Sequence, residues 1–142
     1  VMDADLSHPA ESIPHIVAPI ISGEADISIG SRYVSEGGIE DWPARRKISS
    51  RLATLAVRGL TSVKDPMSGF FFLKREVIKD AELNPLGFKI ALEILVRGKY
   101  DKAVEVPITF RDRLYGETKL GSGVIIAYLL HVARLYAYKA FS

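Results

Sequence analysis

Val1-Met2-Asp3-Ala4-Asp5-Leu6-Ser7-His8-Pro9 opens the chain, and its reading decides the fold class. Two apolar residues running into an acidic pair read as the second half of a buried strand, with Ser7-His8-Pro9 as the turn that leaves it. Residues i and i+2 of a strand share a face, so Asp3 and Asp5 project together. Ligands of open α/β sheets bind beyond the carboxyl ends of strands. There both carboxylates can reach one divalent cation, or one can reach a ribose hydroxyl. Mg²⁺ and Mn²⁺ favour one or two carboxylates plus substrate phosphates. The same letters also suit a solvated turn in which Asp5 caps the next helix.

Outward from this strand end, residues 9–22 read as a helix, with Glu11 in the first turn, Pro14 and Pro19 inside it and Gly23 ending it. Residues 25–33 (ADISIGSRY) alternate apolar and polar and read as a strand. Residues 34–43 carry two glycines and three acids and read as a loop. Over residues 44–60, Ile48, Leu52, Leu55 and Leu60 form an apolar stripe at helical spacing, with Arg45, Arg46, Lys47, Arg51 and Arg58 on other faces. A turn-rich KDPMSG connector leads to a buried strand over residues 70–73 and a short helix over 75–81. Residues 87–97 read as a helix with Ile90, Ile94 and Val96 or Leu95 inward. Residues 103–112 are extended, with Pro107 marking an edge position, and residues 122–142 form a final helix. Strands alternating with helices predict an α/β architecture, a mixed sheet flanked by helices.

The 142 residues include no cysteine, 19 Lys+Arg and 17 Asp+Glu, and 48% are hydrophobic. This composition excludes a disordered, collagenous or disulfide-stapled chain. The net charge of +2 conceals an asymmetry. Residues 1–42 hold eight acids and one base (net −7), and residues 43–142 hold 18 bases and nine acids (net +9). An acidic end suits a cation, and a basic remainder suits phosphates or a membrane surface; unequal solvated faces give the same count. The bases lack interleaved aromatics, which argues against nucleic acid. The opening residues resemble neither an initiator segment nor a signal peptide, so the chain reads as part of a longer domain.

Three basic clusters stand out. Arg32 ends a strand; Arg45-Arg46-Lys47 begins a helix with Ser49 and Ser50 one turn on; Arg111, Arg113 and Lys119 flank the YGETK loop. Guanidinium groups grip phosphates bidentately, and Arg46 and Ser50, four apart, share a helical face. Asp65, in DPMSG, stands where a site acid fits, although turn chemistry alone also explains the motif. His8, His15 and His131 are too scattered for a metal site and read as surface or helix residues. Trp42 reads as loop packing. The final helix is apolar almost all round, and its run before Arg134 is short of the roughly 20 residues needed to span a bilayer. An interfacial helix anchored by Tyr and Arg fits it, as does a helix packed on the sheet. A haloacid-dehalogenase-type phosphohydrolase would also carry an aspartate pair after a strand, but it needs paired acids on a later strand, and Glu40-Asp41 lies in a loop.

VMDADLSHP, GSRY, WPARRKISSR, DPMSGFFFLKREV, GFKIALEIL and EVPITFRDRLYGETKLG occur in the order found in dolichol-phosphate mannosyltransferases. The chain resembles that group of family-2 glycosyltransferases over most of its length. The resemblance implies a partial GT-A (Rossmann-like) fold: residues 1–121 as the C-terminal part of the catalytic domain and 122–142 as a membrane-interfacial helix. It also implies inverting transfer of mannose from GDP-mannose to dolichyl or polyprenyl phosphate, with Mg²⁺ or Mn²⁺, at the cytoplasmic face of a membrane. On this resemblance Asp3, Asp5 and Ser7 would lie at the metal. Arg32, Arg46, Ser50, Arg113 and Lys119 would bind donor or acceptor phosphates, and Asp65 would stand beside the reacting sugar. A nucleotide-binding half that such proteins carry first, with Pro-x-Tyr-Asn-Glu and Asp-Asp-x-Ser-x-Asp stretches, has no counterpart here. A UDP-sugar donor, or a non-catalytic lipid-phosphate module on the same fold, are the alternative expectations.

Overall fold

A computed structural model describes residues 1–3, 7–40, 42–84, 89–111 and 121–142. Its central sheet contains β1 (Ile27–Ser31), β3 (Phe71–Leu73) and β4 (Ala103–Pro107), in the order β3-β1-β4. β1 runs parallel to β4 and antiparallel to β3. On the far side of β3, Val1 and Phe71 exchange backbone hydrogen bonds at 2.8 and 3.0 Å. The opening residues therefore extend the sheet as the sequence predicts. A second ribbon pairs β2 (Gly38–Ile39) with β5 (Thr109–Phe110) in parallel.

Period-two alternation sorts the side chains between two faces. Ile27 and Ile29 of β1 meet Phe71, Ala91, Ile94 and Leu95, which places α3 (Ile90–Arg97) on one face. Gly30 points the other way, where Ile16 of α1 (Ile13–Ile21), Phe70 and Ile108 close over it. A Cβ at Gly30 would lie 3.1 Å from both Ile16 and Phe70. Close helix-to-sheet packing therefore explains this glycine, the first residue of GSRY. Val57, Leu60, Leu92, Val132 and Leu135 join α2 (Ala44–Ala56), α3 and α4 (Ser122–Phe141).

Several boundaries differ from the sequence expectation. The first helix begins with a 3₁₀ turn at Ala10–Ser12, so Pro14 falls in the first turn of α1, where its missing N–H costs nothing. Only Arg75–Val77 of the predicted 75–81 helix is helical, again as a 3₁₀ turn. The 103–112 segment is split into β4 and β5 at buried Ile108, and exposed Pro107 is the last residue of β4. In α3, Ile94 and Leu95 are buried but Ile90 is not. On α2, Leu60 lies beyond the helix and is buried, whereas Ile48, Leu52 and Leu55 remain about 60% exposed. The apolar stripe thus faces away from the core.

Two polar devices hold α4. Tyr128 donates to the Ala53 carbonyl, Tyr136 to Ala56 at 2.7 Å and Lys139 to Gly59 at 2.8 Å. The two tyrosines satisfy carbonyls in the last turn of α2 that the helix itself leaves unpaired, and Lys139 bonds the segment just after it. Burial, reinforced by the charge of Tyr136, pushes the Tyr128 hydroxyl up to about 12. On the α3 side, fully buried Glu93 meets His131 Nε2 at 2.5 Å and the Asn84 N–H at 2.9 Å. Arg97 Nε lies 2.8 Å from the same carboxylate without the alignment of a hydrogen bond, so that contact is an ion pair. The Arg97 guanidinium also covers the Tyr138 ring at 4.3 Å. His131 and His8 are both buried; His131 lies in a helix, as the surface-or-helix reading allows, whereas His8 is neither on the surface nor in a helix.

At the opposite end of β1, Asp26 accepts from the Asp101 N–H (2.9 Å), Lys74 Nζ (3.0 Å) and the Lys102 N–H (3.2 Å). These bonds, the Asp101 N–H foremost, hold its carboxyl below the usual 3.8. A carboxyl lowered on folding stabilises the fold above its unfolded value, and that contribution is lost as pH falls through the folded value. Asp26→Asn should therefore lower the melting temperature at neutral pH and flatten its acid fall below about pH 4. Thermal unfolding of the full-length protein between pH 7 and 2 checks this; an unchanged acid limb contradicts it.

Candidate active site at the sheet edge

β1 ends where β3 begins, and this edge collects the polar residues. Arg32 follows β1 directly, and its side chain is only 10% exposed. Its Nε and Nη2 each donate at 2.8 Å to the fully buried carboxylate of Asp65, and its own backbone N–H adds a third bond at 2.9 Å. Burial opposes the Arg32 charge, but the bonds and charge of Asp65 outweigh it and raise the guanidinium pKa above its ordinary value. A planar fork meeting a carboxylate bidentately is the geometry arginine provides and lysine does not.

Glu105 of β4 secures the loop that carries Asp65. Its Oε1 accepts from Ser31 Oγ, the Lys64 N–H and the Asp65 N–H, each at 3.0 Å. Parallel register brings it there, because Glu105 lies opposite Ile29 and projects toward the strand end. Ser68 completes the turn by donating to the Gly30 carbonyl at 2.6 Å. Glu105 was not among the expected site residues, although a lone glutamate in the apolar run Ala-Val-Glu-Val-Pro signals a position with a polar task.

The DPMSG turn also touches the opening motif. A Cβ on Gly69 would lie 3.0 Å from Asp3 Oδ2, so the Asp3 carboxylate occupies space that only glycine leaves open. The Asp3 N–H donates to His8 Nδ1 at 3.2 Å, and the His8 ring stacks on Phe70 with centroids 5.1 Å apart. Buried His8 thereby ties the acidic strand end to the sheet. Ser7, also buried, accepts the Arg111 N–H at its carbonyl.

A third group comes from α2. Tyr33 and Ser50 share a hydrogen bond between their hydroxyls, and the Arg51 guanidinium lies over the Tyr33 ring at 4.0 Å. Arg46 covers Trp42 at 3.8 Å, and Trp42 packs edge-on against Phe110, as its reading as loop packing expects.

The first 81 residues match the sequence model of glycosyl transferase family 2. The chain belongs to this family. It is 51% identical to the dolichol-phosphate mannosyltransferase of Pyrococcus furiosus over 139 residues, 95% of this chain and 39% of that protein. It is 40% identical to the protein of the same name from Saccharomyces cerevisiae, covering 97% of this chain and 54% of that protein. A third, from Mycosarcoma maydis, is 39% identical over 97% of this chain and 48% of its own length. The chain thus spans about two-fifths to just over half of these relatives.

As a member of the family the chain has a GT-A-type α/β fold, and its sheet edge gathers Asp3, Arg32, Asp65 and Glu105 into one assembly. Tyr33 links that assembly to Ser50. Asp5, Arg113 and Lys119 lie outside the described residues. Among the described residues no three acidic or histidine groups converge on a metal position. The exposed Asp3 carboxylate, an oxygen donor beside a side-chain-free glycine, nevertheless fits a hard cation that draws its remaining ligands from water and phosphate.

Asp65→Asn leaves the buried Arg32 charge uncompensated. Breaking such a pair costs about 3–5 kcal/mol. Urea unfolding of the full-length variant should show a loss of that order, and a loss below about 1 kcal/mol contradicts the assignment.

Proposed function

We propose that the full-length protein transfers mannose, with inversion, from GDP-mannose to dolichyl or a related polyprenyl phosphate. The observation that carries this reading is the assembly at the sheet edge. An acid suited to a divalent cation, a carboxylate-locked arginine and a helix bearing Arg46 and Ser50 lie together, in a chain whose relatives are named for this transfer.

On this reading Asp3, Asp5 and Ser7 would hold Mg²⁺ or Mn²⁺. When bound, that ion offsets charge developing on the departing nucleotide. Arg46 and Ser50 bind phosphate from α2, with Arg32, Arg113 and Lys119 as further phosphate-binding residues. The acceptor phosphate is already an anion near neutral pH, so the reaction needs little from a general base. Both oxygens of Asp65 are engaged by Arg32, which suits an orienting role: Asp65 fixes the guanidinium where phosphate charge builds.

The membrane provides the acceptor. Ile48, Leu52 and Leu55 on α2 and Ile125, Ile126, Leu129 and Leu130 on α4 are exposed, and both helices carry basic or tyrosine anchors. α4 is long and apolar enough to cross a bilayer by length and composition. Its Tyr128 and Tyr136 bonds to α2, and the Lys139 bond to Gly59 beyond it, favour a helix lying in the interface against the domain.

Two experiments test these proposals. In full-length protein, Arg46→Ala or Asp3→Asn should lower transfer of radiolabelled mannose to lipid phosphate by about 10²–10³. Comparable transfer from UDP-glucose, or full activity in both variants, would reject the reading. Leu52→Asp together with Leu129→Asp should reduce co-sedimentation with phospholipid vesicles while leaving the circular dichroism spectrum unchanged; undiminished sedimentation rejects the interfacial placement.

A further inference from the structure

Arg46 sits at the unfavourable end of its helix for its charge. It lies in the first turn of α2, which contains no acidic residue. A cation there meets the positive end of the helix dipole. An aromatic face offsets this: the guanidinium stacks on the Trp42 indole, 3.8 Å from the ring centroid. Indole is the strongest cation–π partner among side chains. A stacked guanidinium keeps its N–H donors in its own plane, the arrangement in which arginine takes phosphate.

The same ring reaches Arg32. Besides its bonds to Asp65, the Arg32 guanidinium lies 5.6 Å from the Trp42 ring, 5.5 Å from Phe110 and 5.1 Å from Tyr33. Ring contacts place the indole, because its shielded Nε1–H has no hydrogen-bond partner among the described residues. Phe110 meets it edge-on at 5.2 Å and meets the His8 ring at 5.3 Å. The Glu40 N–H, two residues before Trp42, donates to the Phe110 carbonyl at 2.8 Å and holds the Trp42 segment to β5. A row of rings therefore runs from His8, which accepts the Asp3 N–H, through Phe110 to Trp42 and Arg46.

We propose, building on the reading of Arg46 as a phosphate ligand, that Trp42 is a positioning residue for the transfer. Its indole holds the Arg46 guanidinium beside the Arg32–Asp65 pair, so that one phosphate group meets both arginines.

The test measures radiolabelled mannose transfer by full-length protein. Trp42→Leu should lower kcat/KM about tenfold, the size of a partly buried cation–π contact, and Trp42→Phe, which keeps an aromatic face, should lower it less. In an Arg46→Ala background, Trp42→Leu should change kcat/KM by less than about twofold, because the group it positions is gone. In the background of Arg45→Ala, an exposed neighbour, the full loss should persist. A merely structural role gives the same loss in every background. A rise in KM for GDP-mannose assigns the pair of arginines to the donor phosphates, and a rise in KM for the lipid phosphate assigns it to the acceptor. No loss in Trp42→Leu, an undiminished loss in the Arg46→Ala background, or Trp42→Phe as impaired as Trp42→Leu overturns the proposal. A deep loss in Arg46→Ala alongside an undiminished Trp42→Leu effect removes Trp42 only and leaves Arg46 a phosphate ligand; full activity in Arg46→Ala rejects both.

Discussion

The bidentate contact between Arg32 and Asp65 is the constraint on which the sheet edge depends. A guanidinium that is nine-tenths buried persists only where a carboxylate meets it, and a fully buried carboxylate needs the same in return. The pair joins the end of β1 to the turn before β3, residues 33 apart in sequence. Glu105 then fixes that turn to β4 through backbone donors, so three strands converge on one polar knot. Asp3 reaches the same knot through Gly69. Disturbing any member moves the others.

α2 connects this knot to the outer surface. One side engages Tyr33 through Ser50, and the chain just past the helix buries Val57 and Leu60; another side exposes Ile48, Leu52 and Leu55. Two carbonyls of its last turn, those of Ala53 and Ala56, are held by α4. A helix that contacts site, surface and neighbouring helix at once transmits its position among all three.

Much of this organisation was legible in the sequence because local rules and tertiary demands agree there. The alternation of ADISIGSRY survives as β1, and Arg46 and Ser50 lie on a common side of α2, as four-residue spacing requires. The direction of the α2 stripe was not legible. Periodicity shows that Ile48, Leu52 and Leu55 share a face but not whether that face meets protein. The roles of His8, His131 and Glu105 were hidden for a related reason: each is set by a partner distant in the chain, Phe70, Glu93 and Ser31 respectively. Motif order supplied the family, whereas the Arg32–Asp65 lock required coordinates, since neither motif names the other.

The buried Glu93 has a consequence for how α4 is indexed. A helix apolar almost all round can roll on an apolar bed with little change in buried area. Glu93 permits one angular setting, in which His131 faces it while Tyr138, seven residues on, lies under Arg97. Rolling α4 by one residue, about 100°, removes His131 and leaves a carboxylate lone pair facing hydrocarbon. The polar contact acts as a detent: it contributes little attraction that leucine could not supply, but it makes every other azimuth costly.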